Sequence, residues 1–461
     1  MTRHLLAGSI VAALGGLLFG FDTAVISGAE GMLRELYDPQ YTLLSNVMGS
    51  NAFWHGVLVA SALVGTIVGS FVFAKPADQY GRRPMLMWMG VLYFVSAVGS
   101  AIAWDMTSFI VFRFIGGLGV GGASVMAPLY VAEISPARYR GRLVAVVQLN
   151  IVFGILLAYL SNYIIAGFDL GAAEWRWMFG VEAIPALLFT VLLFTNPRSP
   201  RWLVAQSRHE EAADVLELVG TDSGSVSDEL EAIKDSLRDA GRNLKERLFQ
   251  KKYLTPILLA IAIAGFNQLS GINALIYYTR RIFEMAGASG TSALLQSVII
   301  GGTNLIVTIA ALAVIDHFGR RKLMIVGSIG YILSLSATAV AFYTDMTGPI
   351  ILVSLIVFIA SHAFGQGAVI WVFIGEVFPN AVRARGQALG SFVHWIMAAV
   401  VSLTFPMLAE FSGAHIFAFY ALCMVGQLIW VLTVMPETKG IPLEEMEERL
   451  GITSSDAPGA T

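Results

Sequence analysis

Long apolar stretches alternate with short polar ones along almost the whole chain. Twelve of the apolar stretches have the length of a membrane-crossing helix, which is about 20 residues. They lie near residues 6–28, 52–74, 84–104, 107–132, 142–166, 177–195, 255–283, 292–315, 323–343, 349–375, 385–409 and 414–435. Because the bilayer core offers no hydrogen-bond partners to peptide groups, such stretches are expected to be helical. The pattern therefore predicts an all-α polytopic membrane protein with twelve transmembrane helices.

A polar segment separates the first six stretches from the last six. It holds most of the chain's soluble charge, and two parts of it, 210–219 and 228–239, have apolar residues at helical spacing. These parts predict short amphipathic helices on the cytoplasmic face of the membrane, which could equally be only a connector, and residues 443–450 predict one more short helix in the acidic tail. The predicted domains are a first bundle at 1–196, a linker at 197–254, a second bundle at 255–436 and a tail at 437–461.

Two polar motifs recur about 240 residues apart and in the same order. Asp78-Gln-Tyr-Gly-Arg-Arg83 after the second stretch returns as Asp316-His-Phe-Gly-Arg-Arg321 after the eighth. A motif that begins at Glu133 after the fourth stretch returns at Glu376 after the tenth. Repetition of this kind predicts two pseudo-symmetric six-helix bundles.

Lysine and arginine lie mostly in one set of alternate loops. That set includes the loops at 75–83, 138–142, 320–322 and 383–385, together with the central polar segment. Basic loops face the cytoplasm. We therefore expect a multi-pass protein of the cell membrane with both termini cytoplasmic and the lipid bilayer as its surroundings.

Composition narrows the class of protein. The chain of 461 residues is 56% hydrophobic and only 13% charged, with a mean hydropathy of +0.71, whereas soluble proteins carry about 25% charged residues. A net charge of −3 without a basic block gives no indication of nucleic-acid binding. The single cysteine excludes an internal disulfide, and the seven histidines lack metal-ligand spacing. Without a plausible catalytic triad or phosphate-binding loop, no enzyme activity, cofactor or metal is predicted.

The apolar stretch at 255–283 contains an unusual run of polar residues between Gly265 and Tyr278. Amides are costly in lipid unless something hydrogen-bonds to them. On an unbroken helix Gln268 and Asn273 would point roughly 140° apart. Ser270-Gly271 between them is where the helix could loosen and turn both amides toward one small ligand. The pattern favours neutral, hydroxyl-rich cargo over an ion.

Together the motifs resemble the sugar porter family of the major facilitator superfamily, from Gly20 to Gly440. The matching segments begin at Gly20, Asp78, Arg113, Pro128, Ser199, Gln268, Asp316, Glu376 and Pro436. The resemblance implies a sugar site between two bundles near the bilayer midplane, and alternating access. Asn267 stands where the family more often has Gln, and His394 stands where it more often has Gln or Asn; these two departures leave the sugar open. Arg198 stands where the family usually has Glu, and this departure concerns the cytoplasmic latch.

The resemblance also implies which residues contact the sugar. The predicted substrate-binding set is Gln148, Asn267, Gln268, Asn273, Asn304, Trp371, Trp395, Tyr277 and Phe19. From the residues alone, the amides could equally form helix–helix hydrogen bonds, and Tyr277 and Phe19 could equally pack in the core. Aromatic planes suit the C–H faces of sugar rings, and amides suit their hydroxyls.

Two ionisable groups lie about mid-span, Asp22 in the first stretch and Arg113 in the fourth. Intramembrane charges need a partner and mark functional sites. The resemblance implies proton coupling through this pair, with Glu182 in the sixth stretch as a helper. A permanent structural ion pair is the alternative.

The repeated motifs supply a predicted cytoplasmic gate. Its members are Asp78, Arg82, Arg83, Glu133, Arg142, Asp316, Arg320, Arg321, Glu376 and Arg383. Exposed ion pairs usually contribute little stability, and setting topology would alone explain the arginines. Carboxylates at equivalent helix ends favour ion pairs that form in one conformation and break in the other.

The sequence thus predicts a secondary active transporter, functional as a monomer, that imports a hexose such as glucose or a pentose with protons. An uncoupled facilitative uniporter is the alternative within the same class. A membrane sugar sensor is the alternative from another class.

Overall fold

The protein is a bundle of long helices in this computed structural model, which describes residues 2–221, 225–243, 246–346, 348–441 and 443–452. Twelve helical segments in these ranges are long and apolar enough to cross a membrane. The twelve predicted spans are therefore confirmed. No strand occurs among the described residues.

The first half contains eight helices. They are α1 (Arg3–Ser45), α2 (Asn51–Val72), α3 (Ala74–Tyr80), α4 (Arg82–Ala101), α5 (Met106–Ile134), α6 (Ala137–Ala166), α7 (Glu174–Gly180) and α8 (Ala183–Leu192). Within this half α1 packs on α6, and α5 packs on α2 and α4.

Three short helices connect the halves: α9 (Pro200–Ala205), α10 (His209–Val219) and α11 (Val226–Asn243). The last two confirm the helices predicted at 210–219 and 228–239. Their apolar faces, with Ala212, Leu230 and Ile233, pack against Trp202 of α9.

The second half repeats the pattern. Its helices are α12 (Leu254–Leu269), α13 (Ile272–Met285), α14 (Gly290–Phe318), α15 (Arg320–Tyr343), α16 (Pro349–Phe364), α17 (Gln366–Val377), α18 (Arg383–Phe411), α19 (Gly413–Thr433) and α20 (Leu443–Arg449). Here α15 packs on α16 and α19, and α12 packs on α18. The helix α20 confirms the one predicted near 443–450. Residues 442 and 453–461 of the predicted tail lie outside the described residues.

The two halves meet along α2 with α18, α6 with α14, and α1 with α13. One end of the molecule carries Arg82, Arg83, Arg320 and Arg321, and we call it the basic end. The other is the opposite end, where α1 and α18 finish and α2 begins.

The first helix is much longer than the predicted span 6–28. At 43 residues it measures about 64 Å, roughly twice the thickness of a bilayer core. Beyond residue 28 it continues with buried residues at helical spacing, Glu30, Leu33, Tyr37 and Tyr41. Because the other face of this extension is polar, the extension is not a continuous apolar stretch, and the predicted span ended at residue 28.

Glycines bring α2 and α5 into close contact. A methyl group on Gly117 would lie 1.9 Å from the Ala62 carbonyl oxygen, and one on Gly121 would lie 2.2 Å from that of Thr66. Both distances are far inside van der Waals contact. The glycine run at 116–122 thus serves helix packing, as its place within a membrane span indicates.

Candidate functional site

The membrane span that contains α12 and α13 is broken at its polar run. Gly271 has a φ of +84°, which is a left-handed conformation that favours glycine. It is also packed, because a methyl group there would lie 2.5 Å from the ring of Tyr420. The predicted loosening of the helix at Ser270-Gly271 is confirmed.

The break brings the predicted amides together. The Asn273 amide donates to the Gln268 side-chain oxygen at 2.9 Å, and the Gln268 amide donates to the Asn267 oxygen at 3.1 Å. All three are at most 8% exposed. The Gln268 amide nitrogen also lies 3.3 Å from the His394 ring nitrogens. Hydrogen-bonded amides of this kind hold their remaining donors and acceptors in fixed directions.

Aromatic rings adjoin the amides. The His394 ring centroid lies 5.1 Å from that of Trp371 and 5.0 Å from that of Trp395. The Trp395 ring in turn lies 5.5 Å from Phe19 of α1. These contacts join the two halves at the level of the amides, and Trp371 remains 37% exposed.

Two further predicted residues, Gln148 of α6 and Asn304 of α14, carry amides without a side-chain hydrogen bond to any described residue. Gln148 is half-buried and lies between Val147, which contacts Gly16, and Ile151, which contacts Gly20. It is therefore level with Phe19. Asn304 is buried, one turn from the close contact of Gly301 with Leu156 and Tyr159 of α6.

The predicted lining residue Tyr277 is 2% exposed and belongs to the largest core cluster. Its neighbour Tyr278 donates its hydroxyl to the Ser402 carbonyl at 2.9 Å. Both rings thus pack inside the protein in this conformation.

The predicted ion pair is present in the centre of the first half. Arg113 donates to the Asp22 carboxylate at 2.5 Å and to the Asp22 carbonyl at 3.0 Å. The two side chains are 1% and 2% exposed. The guanidinium also lies 5.3 Å from the centre of the Phe179 ring. A carboxylate and a guanidinium so deep in apolar surroundings are tolerated only as partners.

Polar atoms without partners surround this pair. One Glu182 carboxyl oxygen, the Arg113 Nε and the Tyr93 hydroxyl are buried with no hydrogen-bond partner among the described residues. Glu182 is 1% exposed, so its carboxyl group is cut off from bulk water. Unsatisfied buried groups of this kind need an explanation, and a group that gains and loses a proton is one.

At the basic end of the first half, the repeated motif forms a network. Arg82 donates to Glu133 at 3.1 Å and pairs with Asp78 at 3.2 Å. The Ser199 hydroxyl donates to the other Glu133 oxygen at 2.6 Å. Arg83 donates to the carbonyls of residues 193 and 194, at 3.0 and 2.9 Å. The arginines thereby tie α4 to the ends of α5 and α8.

The second half repeats the network. Arg320 pairs with Glu376 at 2.8 Å, and the Thr438 hydroxyl donates to Glu376 at 2.6 Å. Arg321 donates to the carbonyls of residues 431 and 432, at 3.0 and 2.5 Å. In addition, the Glu437 carboxylate accepts hydrogen bonds from the backbone N–H groups of Arg320 and Arg321 at the start of α15.

The remaining predicted gate residues are Arg142, Arg383 and Asp316. Arg142 is exposed. Arg383 donates to the Phe378 carbonyl at 3.5 Å. Asp316 is near the end of α14, and its side chain lies outside the described residues. The network contacts given above each stay within one half.

An ion pair and several hydrogen bonds between the halves are made at the opposite end. Arg281 pairs with Glu30 at 3.1 Å, and Arg280 donates to the Gly28 carbonyl at 2.6 Å. The Tyr159 hydroxyl donates to the Ile276 carbonyl at 2.9 Å. The opposite end is therefore closed in this conformation.

The sequence reasoning did not single out Glu30, Arg281 or their neighbour His55. The available signal was the presence of ionisable residues at the ends of apolar stretches. It was weak because such residues are common where helices leave the membrane.

A twelve-helix membrane protein with polar groups between two similar bundles has the architecture of a secondary transporter. The sequence model of the family described as "Sugar (and other) transporter" matches residues 8–450. The chain therefore belongs to the sugar transporter family of the major facilitator superfamily.

Individual relatives are similar to this chain over almost its full length. The D-xylose-proton symporter of Escherichia coli is 37% identical, with 97% of this chain and 96% of the relative covered. The glucose transport protein of Synechocystis sp. is also 37% identical, with 96% and 97% covered. A solved structure described as a partially occluded inward open conformation of the E. coli xylose transporter XylE matches with a TM-score of 0.85 at 35% identity. It covers 96% of this chain and 100% of that one.

Proposed function

We propose that the protein is a secondary active transporter that imports a monosaccharide, a hexose such as glucose or a pentose, together with protons. The observation that carries the proposal is the buried Asp22–Arg113 ion pair beside the partnerless Glu182 oxygen. Relatives described as D-xylose-proton and arabinose-proton symporters support it.

The proposed cargo site lies between the halves. Gln148, Asn267, Gln268, Asn273 and Asn304 supply amides for the sugar hydroxyls. The rings of Trp371, Trp395 and Phe19 supply apolar surfaces, with Tyr277 as a lining residue in another conformation. Support comes from the contacts that join Gln268 to Phe19 through His394 and Trp395, since amides and aromatic planes are how proteins bind small polar ligands.

The proposed driving step is proton binding at Asp22. A proton that arrives from outside neutralises the carboxylate and releases Arg113, which removes the electrostatic restraint between α1 and α5. Glu182 assists as a second acid close to the pair. The transporter can then change conformation with sugar and proton bound, and proton release to the inside resets the ion pair.

We further propose that the basic end faces the cytoplasm, with both termini on that side. The closed opposite end then makes this conformation inward-facing. On this proposal the bundles at 1–196 and 255–436 move against each other, while the linker at 197–254 and the tail at 437–461 stay cytoplasmic. Because all the proposed groups belong to one chain, a monomer suffices.

The basic-end networks are the proposed cytoplasmic gate. The proposed gate residues are Asp78, Arg82, Arg83, Glu133, Arg142, Asp316, Arg320, Arg321, Glu376 and Arg383. In the outward-facing conformation the halves would close at this end, and the ion pairs would rearrange across the interface.

The test is uptake into reconstituted vesicles against a panel of sugars, with and without an imposed pH gradient. We expect accumulation of one or a few monosaccharides that needs the gradient and collapses with a protonophore. Asp22→Asn should abolish accumulation but retain exchange of sugar across the membrane. The matched control is Asp214→Asn on the exposed face of α10, which should behave as wild type.

Each negative result has a defined meaning. Equilibration without accumulation in the wild-type protein would indicate an uncoupled uniporter. Accumulation that survives in Asp22→Asn would refute the coupling role of the ion pair.

A further inference from the structure

A second group of ionisable side chains is buried at the opposite end, away from the proposed coupling pair. The His55 Nε2 lies 2.8 Å from the Glu30 carboxylate, and Arg281 donates to the same Glu30 oxygen at 3.1 Å. The His55 Nδ1 lies 3.1 Å from the Tyr41 hydroxyl. Exposures are 1% for His55, 2% for Glu30, 7% for Arg281 and 0% for Tyr41.

This cluster joins the two halves. Glu30 and Tyr41 belong to α1, His55 belongs to α2, and Arg281 belongs to α13 of the second half. It is separate from the coupling pair, because Glu30 is eight residues beyond Asp22, which is about 12 Å along a helix. The Glu30–Arg281 contact is one of those that close the opposite end.

A neutral histidine fits both hydrogen bonds. In that state the Tyr41 hydroxyl donates to Nδ1, and Nε2 donates to the Glu30 carboxylate. With His55 neutral, the negative charge of Glu30 balances the positive charge of Arg281. Every group that faces the imidazole then has a partner, so the closed end is satisfied in this protonation state.

The other ionisable groups near the cluster lie on α1 and α13, and their charges balance. From α1, Arg34 lies within electrostatic reach of Glu30, and Tyr37 and Asp38 lie near Tyr41. From α13, Tyr278 lies near Glu30 and Arg281. Arg280 is already paired with Glu284 at 2.7 Å. Glu30 is thus the acid that contacts the imidazole, and a proton on His55 would make it share one carboxylate with Arg281.

We propose that His55 is a proton-binding gating residue, whose protonation opens the end of the transporter that faces outside. An added proton leaves a net positive charge in a nearly water-free cluster that spans the halves. Burying an uncompensated charge is costly, so separation of α13 from α1 and α2 becomes favourable. Histidine suits this role because its charge changes between about pH 5 and 8.

This inference rests on the proposed function, which places the cluster outside and supplies the proton-driven cycle. It adds a consequence, since an acidic exterior would favour the outward-facing conformation before sugar binds. The proton on His55 is needed to open the gate, whereas the proton on Asp22 is carried through with the sugar.

The test measures the width of the opposite end directly. Cys423 is the only cysteine, so Cys423→Ser provides a background for spin labels at Leu43→Cys and Phe411→Cys. These positions are 69% and 81% exposed and lie at the opposite end of the two halves. Pulsed electron paramagnetic resonance on purified protein in lipid nanodiscs, without sugar, would compare pH 7.5 with pH 5.5.

We expect longer label-to-label distances at pH 5.5 in the parent protein. His55→Gln should keep the short distances at both pH values, because Gln can hydrogen-bond but takes up no proton. Glu30→Gln should give long distances at both, because Arg281 loses its counter-charge. The matched control is His415→Gln, an exposed histidine at the same end, which should retain the acid response.

All measurements are repeated with Asp22→Asn, which removes titration at the coupling pair. An acid shift that persists in His55→Gln would overturn the proposal, and so would short distances at both pH values in Glu30→Gln. Opposite shifts from two variants in one cluster cannot come from misfolding. Failure of the proposed function would appear differently, as vesicle uptake that ignores a pH gradient while the distances still respond.

Discussion

The two halves are built alike at the basic end and differently in their centres. At the basic end, Arg82 with Glu133 and Arg320 with Glu376 occupy equivalent places, and each acid also accepts from a hydroxyl that follows the bundle's last helix. In the centre, the first half holds ionisable side chains, and the second half holds a cluster of amides.

The difference indicates a division of labour. Asp22 and Glu182 can change charge with a proton, which amides cannot do, whereas Arg113 stays positively charged as their partner. Gln268 and Asn273 can donate and accept hydrogen bonds without the cost of burying a charge, which suits neutral cargo. On the proposed function, the shared networks at the basic end serve the motion common to both halves, and each centre carries out a separate part of the transport reaction.

The largest effect on transport is expected when the cation in the centre of the first half is removed. Arg113→Gln leaves Asp22 buried without its counter-charge, so the carboxyl group should stay protonated throughout the cycle. We expect accumulation against a gradient to be lost, with sugar exchange reduced only a few-fold. Uptake and counterflow in the same vesicles measure the two quantities.

Arg176→Gln is the matched control, since Arg176 donates to a backbone carbonyl at the opposite end. It should leave accumulation intact. If Arg113→Gln still concentrates sugar, the ion pair is structural and the division of labour fails in the first half.

The second test removes an amide. Gln268→Ala should raise the KM for sugar about tenfold to a hundredfold, because one or two hydrogen bonds of about 1 to 1.5 kcal/mol each are lost. The accumulation ratio at saturating sugar should stay near that of the wild type. Initial rates over a range of sugar concentrations give KM, and the plateau gives the ratio.

Gln427→Leu is the control for the loss of a buried glutamine. Its amide bonds Ser328 at 2.7 Å and also contacts Gln366, all inside the second half. We expect lower thermal stability with an unchanged KM. An unchanged KM in Gln268→Ala would show that this amide does not contact the sugar.

Both centres could be located from the sequence because polar residues stand out in apolar stretches. Asp22, Arg113 and Gln268 are conspicuous for that reason, and a glycine between two amides predicts a broken helix. The Asp22–Arg113 partnership followed from the need of each buried charge for a counter-charge.

What could not be predicted depends on three-dimensional packing. The extension of α1 beyond residue 28 mixes polar and apolar residues, so its sequence does not form an apolar stretch. In the structure, Tyr37 and Tyr41 of this extension are nevertheless buried in the core. The Glu30–His55–Arg281 cluster draws on three helices, and no local spacing links its members. Sequence spacing also does not show whether the ion pairs of Arg82 and Arg320 form within one half or between the halves in a given conformation.

The third test compares the equivalent acids at the basic end. Glu133→Gln and Glu376→Gln should each slow turnover a few-fold and leave KM nearly unchanged, because the proposed function assigns these acids to the gate and not to the cargo site. The side chain of Glu133 is 5% exposed and that of Glu376 is 29% exposed. The arginines that they contact are 14% and 10% exposed, so each substitution removes the counter-charge of a largely buried cation, and both variants should also lose thermal stability.

Arg83→Ala belongs to the same test. Its guanidinium holds the carbonyls at the end of the first bundle, and we expect slower turnover with nearly intact affinity. A large rise in KM at normal turnover in any of these three variants would argue against a gate.

The smallest expected effect concerns the one clear difference between the two networks. In the second half, Glu437 accepts from the N–H groups at the start of α15, where a negative charge is favourable. The equivalent place in the first half is taken by Arg198, whose guanidinium lies 5.3 Å from the Trp202 ring centre. The start of α4 therefore has a cation nearby where α15 has an anion.

Exchanging these charges should move stability in opposite directions. Arg198→Glu supplies a carboxylate to the start of α4 and should stabilise the protein by about 0.5 to 1 kcal/mol. Glu437→Arg removes the carboxylate from α15 and should cost about 1 to 2 kcal/mol. Thermal unfolding of detergent-solubilised protein measures both stabilities. The control is Arg198→Gln, which separates the loss of the cation from the gain of the anion. Equal stability of Arg198→Gln and Arg198→Glu would mean that the first half does not use a carboxylate here, and that the two networks differ in more than one charge.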